Sequence, residues 1–159
     1  MNKNWSASVR DGLISGSLAS LVSTAVLALR GRSETGSAYG PVNAVSHWLY
    51  GDRAAHQDEP SARYTLPGYV IHHGSSLLWG VVYERWFGRR AEEKDVLPAL
   101  GGAIAVATLA CFVDYQLTPE RLQPGFEKRL STPSMALVYG GVAIGFVIRG
   151  LLLSGKSRR

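Results

Sequence analysis

The sequence has little cysteine and little charge, and the charge it has is unevenly spread. Cys111 is the sole cysteine among 159 residues. That excludes an internal disulfide and a paired-thiol redox motif, and leaves Cys111 as a small core residue. Asp, Glu, Lys and Arg make up 18% of the chain; they are scarce in four long apolar stretches and concentrated between them. The four histidines show no HxxxH or HExxH spacing, so no ready-made metal motif is present. Neither an internal repeat nor a separate soluble domain can be discerned. Averages decide nothing, because a hydrophobic share of 46% and a mean hydropathy of +0.02 also suit a soluble protein.

Distribution does decide. A bilayer core about 30 Å thick asks for roughly 18 or more apolar residues in a helix rising 1.5 Å per residue. The charge-poor stretches meet that at about 12–29, 66–87, 96–115 and 133–153. The expected fold is all-α: a four-helix transmembrane bundle forming a single integral membrane domain over 1–159. A short interfacial helix, GPVNAVSHWLYG, is expected in the first outer loop, with Trp48 and Tyr50 suited to the membrane surface. The net charge of +5 comes from basic residues beside apolar runs, the position of juxtamembrane anchors. The expected partner is the lipid bilayer, not nucleic acid.

The first stretch follows Lys3 and Arg10, as in a secretory signal. It lacks a clear A-x-A site before Arg30, so it reads as a retained helix. More of the 17 Lys and Arg fall on the side holding both termini and the RRAEEKD hairpin than on the other side. The positive-inside rule then places both termini in the cytoplasm of a bacterium, with the protein in the inner membrane. Small residues at four-residue spacing are expected to pack helices closely: Gly12, Gly16 and Ser20 on the first span, Gly68 and Gly80 on the second, Gly141 and Gly145 on the fourth. The same faces are candidates for homo-oligomer or membrane-partner contacts. Thr65, Asp95 and Thr132 are the expected helix caps.

Candidate site residues come from polar groups that a membrane helix should not carry. Gly68, His72, Ser76, Gly80 and Glu84 recur every fourth residue and form one small and polar stripe. An ionisable side chain at membrane depth usually faces other helices or a water-filled cavity. His72 and His73 lie roughly 10–12 Å past the start of the second span, and Asp114 roughly 26 Å along the third, which runs the other way. Both places approach the outer boundary, where the loop bearing His47 also lies. The site therefore comprises His47, His72, His73, Ser76 and Asp114. Asp114, at a helix C-terminus, calls for a partner such as Arg121, Arg129 or a histidine. His72 and His73 point about 100° apart, so both join one small site only if the helix is distorted. A metal set of His47, His72, His73 and Asp114 would suit zinc or iron, although no cofactor is the first expectation. Glu84 reads as an interfacial ion pair with Arg85, and Trp79, Tyr83 and Trp86 as belt or packing residues.

The order of these features, from the histidine-bearing second span through the charged hairpin and a glycine-rich third span ending at Asp114 to TPERLQPGFEKRLS, resembles small bacterial inner-membrane proteins of the YagU-like type. The likeness covers roughly 68–145. It implies a multi-pass inner-membrane location and no particular activity. The first functional expectation is a non-enzymatic accessory or oligomeric membrane component with a polar His/Asp site near the periplasmic side. The alternatives are a small transporter or metal-handling protein using His72, His73, Asp114 and His47, and a membrane-embedded enzyme acting on a lipid or quinone.

Overall fold

The first helix opens at Asn4, whose side-chain oxygen accepts a hydrogen bond from the backbone N–H of Ala7 at 2.8 Å. Such a cap satisfies one of the donors that a helix start leaves free. The helix, α1 (Trp5–Thr35), ends at Gly36, which takes the left-handed conformation with φ 78°. The computed structural model describes residues 2–153, and the basic tail at Lys156, Arg158 and Arg159 lies outside them. After α1 come the short helices α2 (Gly40–Val45) and α3 (His47–Tyr50) and a 3-10 turn, Gly51–His56. Then follow α4 (Thr65–Trp86), a short α5 (Gly88–Glu92), α6 (Val96–Phe112) continued by a π turn at Val113–Leu117, and α7 (Thr132–Leu153). No strand occurs among the described residues.

Among the described residues, three helices are long and apolar enough to cross a membrane: Trp5–Thr35, Val96–Leu117 and Thr132–Leu152. At 22 residues α4 is about 33 Å long, but it is not among the three because its two histidines, its serines, Glu84 and Arg85 lower its hydropathy. The four long helices run antiparallel in sequence order around a square. α1 packs against α4 and α7, α6 packs against α7 and more sparsely against α4, and α1 and α6 stand diagonally opposite.

Close backbone approach fixes the α1–α4 edge. A Cβ added at Gly80 would lie 2.6 Å from the Gly12 carbonyl oxygen and 2.7 Å from Gly16 Cα, so only hydrogen fits there. Gly145 meets Ala19 in the same manner across α1–α7, and Gly68 lies against the Val42 carbonyl of α2. All seven small residues singled out from the sequence are buried. Their faces are used for close approach within the chain. Within the long helices, the glycines with open space beside them are Gly74, Gly101 and Gly140.

Two helix caps differ from expectation. The Thr65 hydroxyl donates to Asn43 Oδ1 at 2.6 Å and accepts from Ser61 N, so it ties the start of α4 to α2 and does not cap the helix. Asp95 precedes α6 without a side-chain cap bond and pairs with Arg90 at 3.1 Å. The segment GPVNAVSHWLYG forms two helices, not a single surface one. Every residue of α2 is buried, and Asn43 donates to the carbonyls of Gln57 and Glu59, which folds the loop over the bundle end. Two apolar clusters build the interior. One joins Ala19, Tyr83, Val106, Val142 and Phe146 in mid-bundle; the other joins Leu27, Val45, Phe126 and Val138 beneath the loops.

Candidate binding cavity and a buried ionic cluster

Between those two clusters lies a cavity of about 260 Å³. α4 contributes His72, Ser75, Ser76 and Trp79 to it; α6 and the π turn contribute Ala110, Val113 and Asp114; α7 contributes Val138, Tyr139 and Val142. Val45, Trp48, Pro124 and Phe126 close it from the loop side. The mouth is marked by Leu78 and Leu122, lining residues that are themselves exposed. Sparse packing of α4 on α6 leaves this space, because α1 holds α4 on the opposite side.

Several polar groups on the wall have a definite local partner. The π turn widens the end of α6, and the Thr118 hydroxyl donates to the Val113 carbonyl at 2.9 Å to close it. π turns of this kind recur at functional positions. Here it carries Asp114, whose Oδ2 accepts from the Tyr139 hydroxyl at 2.7 Å. On the facing wall, His72 Nε2 lies 2.9 Å from Ser23 Oγ of α1. The Ser76 hydroxyl donates to the His72 carbonyl at 2.9 Å and does not meet the ring.

Of the residues singled out from sequence, the structure brings His72, Ser76 and Asp114 to one cavity. His73 lies off it, stacked on Tyr69 with ring centres 5.6 Å apart. His47 is buried under the loops, where its Nδ1–H donates to the Ala44 carbonyl at 3.0 Å and its ring fills the space beside Gly125. The zinc or iron set of His47, His72, His73 and Asp114 is therefore not assembled. Asp114 does not pair with a loop arginine either. Arg129 is taken by Asp58 and by the Ala55 carbonyl at 2.9 Å, and Tyr139 supplies the donor instead. Sequence reasoning missed Tyr139, since a tyrosine near the end of an apolar helix has the look of an interfacial anchor.

The opposite end of the bundle holds charges that the sequence reading treated as surface anchors. Lys3 Nζ contacts Asp11 Oδ2 at 2.9 Å, Glu84 Oε2 at 2.6 Å and Glu92 Oε1 at 2.6 Å. Arg149 reaches Asp11 at 2.7 Å, Glu92 at 2.8 Å and Glu84 at 3.4 Å. Lys3, Asp11, Glu84 and Arg149 are all buried. The expected Glu84–Arg85 pair is not formed, because Glu84 points inward on the stripe of α4 while the Arg85 guanidinium stands 5.2 Å from the Trp5 ring centre. The stripe itself was the signal that placed Glu84 inside. Asp11, Glu84 and Glu92 are the one group of three such ligand atoms within 4.8 Å of one another among the described residues. Three clustered carboxylates would suit a hard cation, but here the Lys3 ammonium touches all three and Arg149 adds a second charge. Burial disfavours the Lys3 ammonium, yet its hydrogen bonds to Glu84, Glu92 and Asp11 outweigh that and hold its pKa above the ordinary lysine value. Burial likewise disfavours the Glu92 carboxylate, and its bonds to Lys3 and Arg149 hold it below the usual carboxylate range.

Together, fold and site define an all-helical protein with helices of membrane-spanning length, a cavity near the loop end and an ionic cluster at the other. Set against known proteins, the chain matches no family model, no curated protein and no solved structure.

Proposed function

We propose that the chain is a four-pass protein of the bacterial inner membrane, both termini cytoplasmic, and that it binds a small lipophilic molecule in the cavity between α4, α6 and α7 as a non-enzymatic component. The single observation that carries this reading is the cavity of about 260 Å³ whose walls are largely apolar and aromatic but bear His72, Ser76, Asp114 and Tyr139. Ligand sites combine an apolar lining with a few placed polar groups in this way. Exposed Leu78 and Leu122 belong to the lining, which suits a molecule that partitions into lipid.

Support for a fourth span comes from the direction of α4's polarity. Gly68, His72, Ser76, Gly80 and Glu84 are buried against other elements, while Leu66, Val70 and Leu78 are exposed. A helix whose polar stripe meets neighbouring helices tolerates lipid on its apolar side, whatever its average hydropathy.

Two measurements test the proposal. In a Cys111→Ser background, a membrane-impermeant maleimide applied to intact cells labels Glu59→Cys and spares Glu93→Cys; equal labelling of both would mean that α4 does not cross. In nanodiscs, 2-phenylethanol raises the unfolding temperature of the protein through ligand linkage, and Ala110→Leu, which fills the cavity, abolishes the shift. A shift unchanged by Ala110→Leu would place the ligand elsewhere.

A further inference from the structure

The cavity contains a negative charge that the protein does not balance. Asp114 is its sole acidic lining residue, and neither Lys nor Arg lines it. Among the described residues Asp114 makes no ion pair; its one bond is from the Tyr139 hydroxyl, at 2.7 Å. Burying an unpaired carboxylate is costly, and a neutral phenol donor offsets only part of that cost.

The facing wall is electron-rich as well. The Ser23 hydroxyl lies 2.7 Å from the Ala19 carbonyl, to which its single proton is directed. It therefore receives the bond from His72, so Nε2 carries the imidazole proton. Nδ1 of this nine-tenths buried ring is left as a bare acceptor with no partner among the described residues. Trp48, Trp79, Phe126 and Tyr139 add aromatic rings to the lining.

An acid without a counter-ion, an acceptor nitrogen on the facing wall and four aromatic rings in the lining match one ligand chemistry. We propose that the cavity selects a lipophilic ammonium, an apolar amine whose charged N–H group donates to Asp114 while its body lies against the indole and phenyl rings. The charge meets the carboxylate and the ring quadrupoles in a water-poor space, where both attractions are strongest. Anions are rejected by Asp114. This inference rests on the reading of the cavity as a site for a small lipophilic molecule.

Three near-isosteric probes separate the two claims: 2-phenylethylammonium, 2-phenylethanol and 3-phenylpropionate, titrated by calorimetry against the full chain in phosphatidylcholine nanodiscs at neutral pH, with empty discs as the blank. The ammonium is expected to bind at least about tenfold more tightly than the alcohol, and the propionate not at all. Asp114→Asn should bring ammonium and alcohol to equal affinity, while Asp114→Glu keeps the preference. Alcohol binding as tight as ammonium in the unaltered protein would overturn the charge selection and leave the cavity reading intact. A preference that survives Asp114→Asn would overturn it too, and binding of none of the three would remove both claims.

Discussion

At the residue scale, His72 is fixed by a serine 49 positions away. Removing that partner in Ser23→Ala leaves a buried imidazole N–H with nothing to donate to, which costs about 1–3 kcal/mol. The expected outcome is a lowered unfolding midpoint in detergent, together with weaker ligand binding as the ring loses its fixed orientation; an unchanged midpoint would refute the assigned tautomer. That His72, Ser76 and Asp114 come to one place was legible because a polar group within an apolar run has few reasons to be there. Tyr139 and Ser23 were not legible, since both residue types are ordinary in membrane helices and their roles depend on which helix faces which. The partners of Glu84 were hidden by distance along the chain: Lys3 is 81 positions away and Arg149 is 65. Sequence offered Arg85 next door, and only the direction of α4's buried stripe overrides it.

For the helices as elements, the glycines make opposite predictions according to what lies beside them. Gly80→Ala puts a methyl group 2.6 Å from the Gly12 carbonyl oxygen, so the α1–α4 backbones must separate, at a cost of about 1–3 kcal/mol. Gly101→Ala on α6 meets nothing within 4 Å and is expected to stabilise by about 0.4–1 kcal/mol through lost chain entropy and better helix propensity. Thermal unfolding of the two variants in one detergent checks the sign difference. Positions of the long helices were readable from the spacing of charge-poor stretches. Their true ends were not: α1 runs from Trp5 to Thr35, well beyond the apolar run at 12–29. An apolar run reports the length that lipid requires, whereas the helix stops only where a cap or a glycine ends it. The loop between α1 and α4 was misjudged for a related reason. Its burial comes from Asn43 and Thr65 bonding to distant backbone and side chains, which no local periodicity encodes.

On the scale of the whole molecule, the Lys3 cluster fastens the chain's amino-terminal segment to the ends of α4 and α7 and to α5. Glu92 is held below the usual carboxylate range, so its contribution is full above the unfolded value of about 4.3 and is lost as pH falls through the lower folded value. Lys3 is held above the ordinary value, so its contribution is full below about 10.4 and is lost as pH rises through the higher folded value. Stability carried by the cluster is therefore flat from roughly pH 5 to 10 and falls on both sides. Unfolding midpoints across pH in detergent should show that plateau, and Lys3→Met should lower it and make the alkaline fall shallower. A slope within the plateau that Lys3→Met leaves unaltered would point to other groups.

The main-chain contact between α1 and α4 also constrains how the molecule can breathe. Where Gly80 meets Gly12 and Gly16 no side chain stands between the two backbones to slide or repack, so α1 and α4 are fastened at that point, and α7 is fastened to α1 where Gly145 meets Ala19. The remaining long helix touches α4 only lightly. On the proposed reading of the cavity, a guest enters where α6 parts from α4 while it stays packed on α7, and the widened turn around Asp114 lies at that opening.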